Sequence, residues 1–252
     1  MDLGLTGANV LITGGTKGIG AAAARLFAQE GANVALCARD AALVAETVTS
    51  LAAAGAGRAI GGALDVGDPK ALKAWVEASA TELGGVDALV CNVSALALGD
   101  TAESWQKSFQ VDMMHTVHAV AAALPYLEKS PIASVAVVSS VSGFEVDAAA
   151  GSYGATKAAL IHYAKGLARQ LAGKGIRVNT ISPGNTYFEG GFWQGAEQNM
   201  PDLFNLAMAS NPTGRMGTAE EVAFGIVMLA SPLASRITGT NLVIDGALSR
   251  SP

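Results

Sequence analysis

Two residues that could exchange a proton with a substrate, Tyr153 and Lys157, stand four positions apart. In a helix this spacing places both side chains on one face, so the lysine ammonium can lie near the phenol. A free tyrosine has a pKa of ~10, too high for efficient proton exchange near neutrality, and a nearby cation lowers the pKa of a phenol. The pattern indicates a tyrosine that acts as a general acid or base, although a solvated helix face would show the same spacing.

Ser140 favours the catalytic interpretation of this pair. It follows an apolar run, residues 134–139, and precedes Tyr153 by thirteen positions. If the run is a strand of a parallel sheet, Ser140 lies at the carboxyl edge, where open α/β sheets bind their ligands. A hydroxyl there could donate a hydrogen bond to a substrate oxygen and stabilise the negative charge that develops on it.

A glycine-rich turn, TGGTKGIG at residues 13–20, follows the first apolar run of the chain. Where a parallel strand turns directly into a helix, the first N–H groups of the helix point to solvent. Glycines such as Gly14, Gly18 and Gly20 let a pyrophosphate approach these groups. The turn predicts a dinucleotide site, and the alternative is a tight strand-to-helix connection with close packing.

The elements that must position these residues alternate along the chain. Strands are predicted at 8–13, 33–38, 60–64, 86–91, 134–139, 176–181 and 241–245, and helices at 19–30, 41–54, 69–83, 103–127, 153–171 and 219–229. Such alternation is typical of βαβ units around a parallel sheet. The sequence predicts a single doubly wound α/β domain over residues 1–252, with seven parallel strands and helices on both faces.

The composition excludes several classes of protein. Half of the 252 residues are apolar and 15% are charged, so the chain can bury a substantial core. No window reaches the ~18 apolar residues of a membrane span and the start lacks a basic leader, which predicts a cytoplasmic protein with no membrane partner. The net charge of -5 and the scattered basic residues argue against nucleic acid as a partner. Cys37 and Cys91 lie in apolar runs, which favours buried thiols over a disulfide or a metal site.

Further motifs accompany the proposed catalytic residues. Asp65 follows the third predicted strand in LDV, RVNTISPG occupies residues 177–184, and GRMGTAEEVA and ITGTNLVIDGA occupy residues 214–223 and 237–247. With the glycine turn and with Ser140, Tyr153 and Lys157, these motifs make the chain resemble the short-chain dehydrogenase/reductase family over essentially its whole length. The resemblance implies a Rossmann-type fold and an oxidoreductase that transfers hydride between a nicotinamide cofactor and a carbonyl or alcohol.

The resemblance also implies residue roles. Ser140 would hold the substrate oxygen, Tyr153 would exchange the proton, and Lys157 would support the tyrosine and bind the nicotinamide ribose. Asp112 stands where the family has a fourth catalytic residue. The cofactor-binding residues implied are Gly14, Thr16, Lys17, Gly18, Ile19, Gly20, Arg39, Asp65, Val66, Asn92, Tyr153, Lys157, Pro183, Gly184 and Thr186.

Three positions depart from the family pattern. Ser94 replaces a glycine after the fourth strand, and Phe188 stands where a threonine usually follows the Pro-Gly, with Thr186 as its nearest substitute. Asp112 replaces the usual asparagine. If that asparagine acts through its backbone carbonyl, aspartate can replace it, but a carboxylate near Lys157 would also favour the charged lysine.

The end of the second strand bears on the choice of cofactor. An enzyme that prefers NAD(H) places an acidic residue there to bind the ribose hydroxyls. The chain has Ala38 instead, while Arg39 and Lys17 could pair with a 2′-phosphate. Asp40 immediately precedes a predicted helix and is interpreted as its N-cap. NADP(H) is therefore favoured, and NAD(H) stays possible.

A segment at about 185–215 is much longer than ordinary α/β connections and rich in glycine and aromatic residues, which predicts a substrate lid. The alternative is local core or a subunit interface. No Lys or Arg occurs between Arg177 and Arg215, so a neutral, largely apolar ketone or secondary alcohol fits better than an anionic substrate. Glu145 could accept a hydrogen bond from a substrate hydroxyl or face water. The predicted substrate residues are Ser94, Glu145, Phe188, Phe192 and Trp193.

The sequence is also compatible with other functions. An acyl chain would also suit the lid, so a 3-oxoacyl-carrier-protein or thioester reductase is an alternative. The departures at Ser94 and Asp112 leave room for a nucleotide-binding regulatory protein with little catalysis. The family resemblance and the alanine-rich helix faces, residues 119–123 and 155–168, predict a homotetramer or homodimer.

Overall fold

Parallel strands form the centre of the molecule in a computed structural model that describes residues 2–251. The main sheet has seven strands in the order β3-β2-β1-β4-β5-β6-β9, and each neighbouring pair is parallel. A second pairing joins β7 to β8. The strands are β1 Asn9–Thr13, β2 Asn33–Ala38, β3 Ala59–Ala63, β4 Ala88–Cys91, β5 Ser134–Val138, β6 Arg177–Pro183, β7 Thr186–Tyr187, β8 Gly217–Thr218 and β9 Asn241–Ile244.

Helices cover both faces of the main sheet. Helices α1, α2 and α9 bury apolar side chains against one face, and α3, α5 and α6 bury theirs against the other. The predicted doubly wound α/β fold with seven parallel strands is confirmed. Among residues 2–251, no helix has the length and apolar character needed to cross a bilayer. The helices are α1 Gly18–Gln29, α2 Ala41–Ala54, α3 Pro69–Leu83, α4 Ala102–Ser108, α5 His115–Leu127, α6 Ser152–Leu171, α7 Phe192–Asn199, α8 Pro201–Ser210 and α9 Ala219–Ala230.

The strand order creates a crevice at one edge of the sheet. It runs outward from β1 to β3 on one side and from β4 to β9 on the other, so the winding reverses between β1 and β4. Ligands of such sheets bind beyond the carboxyl ends of the strands at this reversal. The glycine turn follows β1 and Asn92 follows β4, so both lie at the crevice.

The two cysteines flank β1 on neighbouring strands. Cys37 and Cys91 are both in register with Thr13, which places them two strand spacings apart, or ~10 Å. A disulfide requires Cα atoms closer than ~7 Å. Burial raises the pKa of each thiol to about 12, so both remain protonated and unreactive at neutral pH.

The prediction of one continuous helix over residues 103–127 is wrong, because the middle of this range is not α-helical. A π-helical turn, Phe109–Met114, separates α4 from α5. A π-turn inserts an extra residue without changing the apolar pattern enough to be read from sequence, and such turns are frequent at functional sites. Asp112 lies inside this turn and is fully buried.

The predicted lid segment is more regular than an extended loop. It contains α7 and α8, and the pairing of β7 with β8 joins its two ends. Pro201 occupies the first turn of α8, where its missing N–H costs no helical hydrogen bond. Aromatic contacts hold the segment together, with the Tyr187 and Phe204 rings 6.3 Å apart and those of Phe192 and Trp193 5.1 Å apart.

Candidate active site

Tyr153 and Lys157 lie on one face of α6, as their spacing predicts. The Lys157 ammonium is 5.5 Å from the centre of the Tyr153 ring. Lys157 is buried and Tyr153 is half-buried, so the phenol is the part of the pair that a ligand can reach. The Ser139 hydroxyl donates to the Lys157 carbonyl over 2.8 Å, which ties the end of β5 to this helix.

Ser140 follows β5 and belongs to a short chain of hydroxyl groups. Its Oγ accepts from the Ser142 N–H at 3.2 Å and donates to Ser142 Oγ at 3.3 Å, and Ser142 Oγ donates to Asp147 Oδ2 at 2.6 Å. A hydroxyl bond of 3.3 Å is long, so the Ser140 proton is loosely held and can turn to a substrate oxygen. Sequence reasoning missed the contribution of Ser142 and Asp147, which no motif marks.

A buried ion pair joins α6 to the π-helical turn. Lys157 Nζ lies 3.2 Å from Asp112 Oδ1 and donates to the Val138 carbonyl at 3.2 Å. The same Asp112 oxygen accepts from Ser94 Oγ at 2.5 Å, and Oδ2 accepts from the Ala95 N–H at 2.8 Å. The carboxylate thus contacts the ammonium directly. The Ser94 hydroxyl donates to this carboxylate.

Asn92 and His115 make hydrogen-bonding contacts to the end of β1, next to the glycine turn. The Asn92 amide donates to the carbonyls of Gly14 and Thr13 at 3.1 and 3.3 Å, and its backbone N–H donates to Thr13 Oγ1 at 3.0 Å. His115 Nε2 lies 3.3 Å from the same threonine oxygen, and its Nδ1 contacts the Val111 carbonyl. Burial lowers the pKa of His115 to about 4, so the ring is neutral. The sequence reveals that this histidine lacks metal-ligand neighbours but not what it contacts.

The glycine turn forms a cradle that side chains would fill. A Cβ on Gly20 would lie 2.1 Å from the Gly14 carbonyl oxygen, and Gly14 and Gly18 have φ angles of 72° and 52°. Helix α1 begins at Gly18 with no side-chain cap, so its first N–H groups remain available to an anion. These residues fit the pyrophosphate of a dinucleotide. The Phe188 ring packs on the turn, 2.6 Å from where a Gly18 Cβ would stand.

Two cations lie near the end of β2. Arg39 and Lys17 are exposed, and neither has a carboxylate partner within residues 2–251. The interpretation of Asp40 as an N-cap is confirmed, because its Oδ1 accepts from the N–H groups of Ala42 and Leu43 at 2.9 and 3.1 Å. Two exposed cations are therefore available to an anionic group at this end of the crevice.

Other residues expected to bind the cofactor shape its backbone surroundings. Asp65 Oδ1 accepts from the Gly67 N–H at 2.8 Å, which fixes the turn after β3, and Val66 is buried beneath it. Thr186 Oγ1 donates to the Gly184 carbonyl at 3.0 Å. The Thr186 hydroxyl therefore lies close to the Pro-Gly turn after β6, where the threonine expected from the family would act.

The Glu145 carboxylate, predicted to bind a substrate hydroxyl or to face water, contacts the backbone of residues 250 and 251. Its Oε1 accepts from the backbone N–H groups of Arg250 and Ser251. These hydrogen bonds, led by that from Ser251, hold the pKa of the half-buried Glu145 below its usual value. The carboxylate joins the segment after Ser140 to residues 250 and 251.

Known proteins resemble this chain in sequence and in fold. A family model described as enoyl-(acyl carrier protein) reductase matches residues 14–249. Isoepoxydon dehydrogenase patN of Penicillium expansum is 43% identical, over 98% of this chain and 97% of that protein. A 2,5-dichloro-2,5-cyclohexadiene-1,4-diol dehydrogenase, LinX of Sphingobium indicum, is 34% identical over 97% of each. A short chain dehydrogenase from Burkholderia cenocepacia, crystallised in complex with NADP, superposes with a TM-score of 0.89 at 31% identity, covering 97% of this chain and 99% of that one.

Proposed function

The chain belongs to the short-chain dehydrogenase/reductase family and is an oxidoreductase acting on CH–OH or C=O groups, and from that premise we propose its cofactor, its substrate class and the roles of its residues. The proposed reaction is hydride transfer between NADP(H) and a neutral, largely apolar ketone or secondary alcohol. The observation that carries this proposal is the buried Lys157 ammonium 5.5 Å from the half-buried Tyr153 ring.

In the reducing direction, a bound NADPH would be the source of the hydride that reaches the substrate carbon. Residues of this chain bind the substrate oxygen and transfer a proton to it. Ser140 Oγ donates a hydrogen bond to the substrate oxygen, and Tyr153 Oη transfers its proton to that oxygen as negative charge develops. Lys157 stabilises the resulting phenolate through its positive charge. In the oxidising direction the phenolate accepts the proton of the alcohol.

The cations near β2 support NADP(H) over NAD(H). Arg39 and Lys17 are exposed beside a strand end that carries no carboxylate at Ala38, and a 2′-phosphate would find two partners there. Asp40 would repel it only weakly, because its Oδ1 already accepts two helix N–H groups. The related enzyme from Burkholderia cenocepacia was crystallised with NADP.

The lid segment, residues 185–215, supports a neutral substrate because it contains no Lys or Arg before Arg215. Two relatives favour a small oxygenated molecule, since LinX is named for a cyclohexadiene diol and patN for isoepoxydon. Phe188, Phe192 and Trp193 would contribute the apolar surface. A 3-oxoacyl-carrier-protein substrate is the second candidate, favoured by a relative that is 31% identical and is named as a 3-oxoacyl-[acyl-carrier-protein] reductase. A regulatory nucleotide-binding protein with little catalysis is not proposed, because relatives that match nearly the whole chain are named as dehydrogenases.

We also propose a homotetramer or homodimer in the cytoplasm. Ala155, Ala158 and Ala159 are exposed on α6, so another helix could approach closely there. Sedimentation as a monomer would contradict the assembly. The buried thiols of Cys37 and Cys91 suit a reducing compartment.

The test follows the loss of NADPH and NADH absorbance over a panel of cyclic ketones, linear ketones and 3-oxoacyl thioesters. We expect NADPH-dependent reduction of neutral ketones that Tyr153→Phe abolishes while NADPH binding is retained. Tyr163→Phe is the matched control, because it removes a half-buried phenol from the same helix away from Lys157. Preferred turnover of acyl thioesters would support the second candidate, and NADPH binding without turnover of any panel member in either direction would contradict the proposed substrate class.

A further inference from the structure

One carboxylate oxygen in the site has two donors. Asp112 Oδ1 lies 2.5 Å from Ser94 Oγ and 3.2 Å from Lys157 Nζ, while Oδ2 accepts from the Ala95 N–H at 2.8 Å. Lys157 and Asp112 are almost completely buried. A buried carboxylate in this position offsets the field of the ammonium at the neighbouring phenol.

The offset depends on where the carboxylate points. The Ala95 N–H fixes only one oxygen, so the orientation of the other depends on the Ser94 hydroxyl and the ammonium. Without the hydroxyl, the carboxylate can turn about its Cβ–Cγ bond and move Oδ1 away from Nζ. The ammonium would then act on the Tyr153 phenol with less compensation, and the phenolate would become more stable.

We propose that Ser94 is a positioning residue that holds the Asp112 carboxylate against Lys157 and thereby sets the pH at which Tyr153 loses its proton. The proposal deepens the proposed function and rests on it for its catalytic meaning. It assigns Ser94 to the proton-transfer machinery, whereas sequence reasoning places this residue with the substrate. The Ser94 hydroxyl and the Asp112 carboxylate act as one unit, so their substitutions are compared singly and together.

Two buried neighbours on the packed elements have pKa values far from neutrality. Burial lowers the pKa of His115 on α5 to about 4 and raises the pKa of Cys91 at the end of β4 to about 12. The ionisable groups of α4 are exposed to solvent, which screens them. The groups that face Asp112 or flank it are Tyr153 and Lys157 on α6, His115 on α5, Cys91 on β4, and Glu103 and Lys107 on α4.

The experiment measures tyrosinate absorbance against pH without cofactor, as the difference between each protein and the same protein carrying Tyr153→Phe. Asp112→Asn is expected to lower the midpoint by about one pH unit, and Ser94→Ala by about half as much. In the presence of Asp112→Asn, Ser94→Ala should cause no further shift. Ser94→Thr keeps the hydroxyl and should keep the wild-type midpoint.

Ser108→Ala is the matched control, because Ser108 Oγ donates to Ala97 in the same loop without reaching Asp112. Ser94→Gly serves as a second variant without the hydroxyl, should Ser94→Ala fold poorly. The acid limb of alcohol oxidation should move with the tyrosinate midpoint. If the enzyme turns over none of the substrates tested, the absorbance titration still tests the positioning role of Ser94.

An equal shift by Ser94→Ala with and without Asp112→Asn would overturn the proposal, because the serine would then act independently of the carboxylate. Absence of a shift with intact Asp112 would also overturn it, as would a shift of the same size in Ser108→Ala.

Discussion

Removing the cation from the buried ion pair should destabilise the whole fold. Lys157→Met leaves the Asp112 carboxylate buried with only the Ser94 hydroxyl and the Ala95 N–H as donors. At the observed 3.2 Å, with an effective dielectric constant of ~20, the lost attraction is ~5 kcal/mol. Measured losses for breaking one partner of a buried pair are ~3–5 kcal/mol, and we expect a decrease of that size in the free energy of unfolding.

The double variant Lys157→Met/Asp112→Asn separates the ion pair from simple loss of packing. A neutral amide needs no counter-charge, so the double variant should recover ~2–3 kcal/mol relative to Lys157→Met alone. Urea unfolding of the wild type, both single variants and the double variant, all without cofactor, measures the coupling. If the two single losses add within ~0.5 kcal/mol, the carboxylate and the ammonium do not interact and the reasoning is refuted.

Three further predictions address the histidine, the glycine turn and the cofactor. Because burial lowers the pKa of His115 from 6.5 to about 4, the unfolded chain binds more protons between these values. Stability should therefore fall by ~3 kcal/mol as the pH drops through this window, and His115→Gln should flatten the decline in urea unfolding series. Gly20→Ala places a Cβ 2.1 Å from a carbonyl oxygen of the same turn and should abolish NADPH binding in calorimetry. Arg39→Ala with Lys17→Ala should weaken NADPH binding ~10- to 100-fold in fluorescence titrations, and an unchanged NADPH-to-NADH ratio would contradict the phosphate role.

The sequence predicts features that depend on neighbouring residues. Strands buried on both faces read as short apolar runs, which is why every strand of the main sheet was expected within a few residues of its position. The cap at Asp40 is likewise local, since a side chain before a helix bonds the N–H groups two and three positions on. The shared face of Tyr153 and Lys157 follows from helix geometry alone.

Features that depend on distant residues escape this kind of reasoning. Ser94 and Asp112 are 18 positions apart, and their contact needs both the loop after β4 and the π-helical turn in place. Glu145 meets the Arg250 N–H across 105 positions. The position of Phe188 on Gly18 depends on how the lid packs against the glycine turn. None of these contacts can be recognised from residue spacing or from hydrophobic periodicity in the sequence.

The glycine turn follows β1, whereas Tyr153 lies on α6, the helix between β5 and β6. Gly14 follows β1, Asn92 follows β4 and bonds back to the turn, and Thr186 lies beyond β6, so no contiguous half of the chain contains a complete site. A ligand that needs all of these strands binds the folded state and not the unfolded one. At a hundred times its dissociation constant, such a ligand adds ~2.7 kcal/mol to the stability of the fold. The supply of cofactor in the cell would then govern how much of this protein survives proteolysis as well as how fast it works.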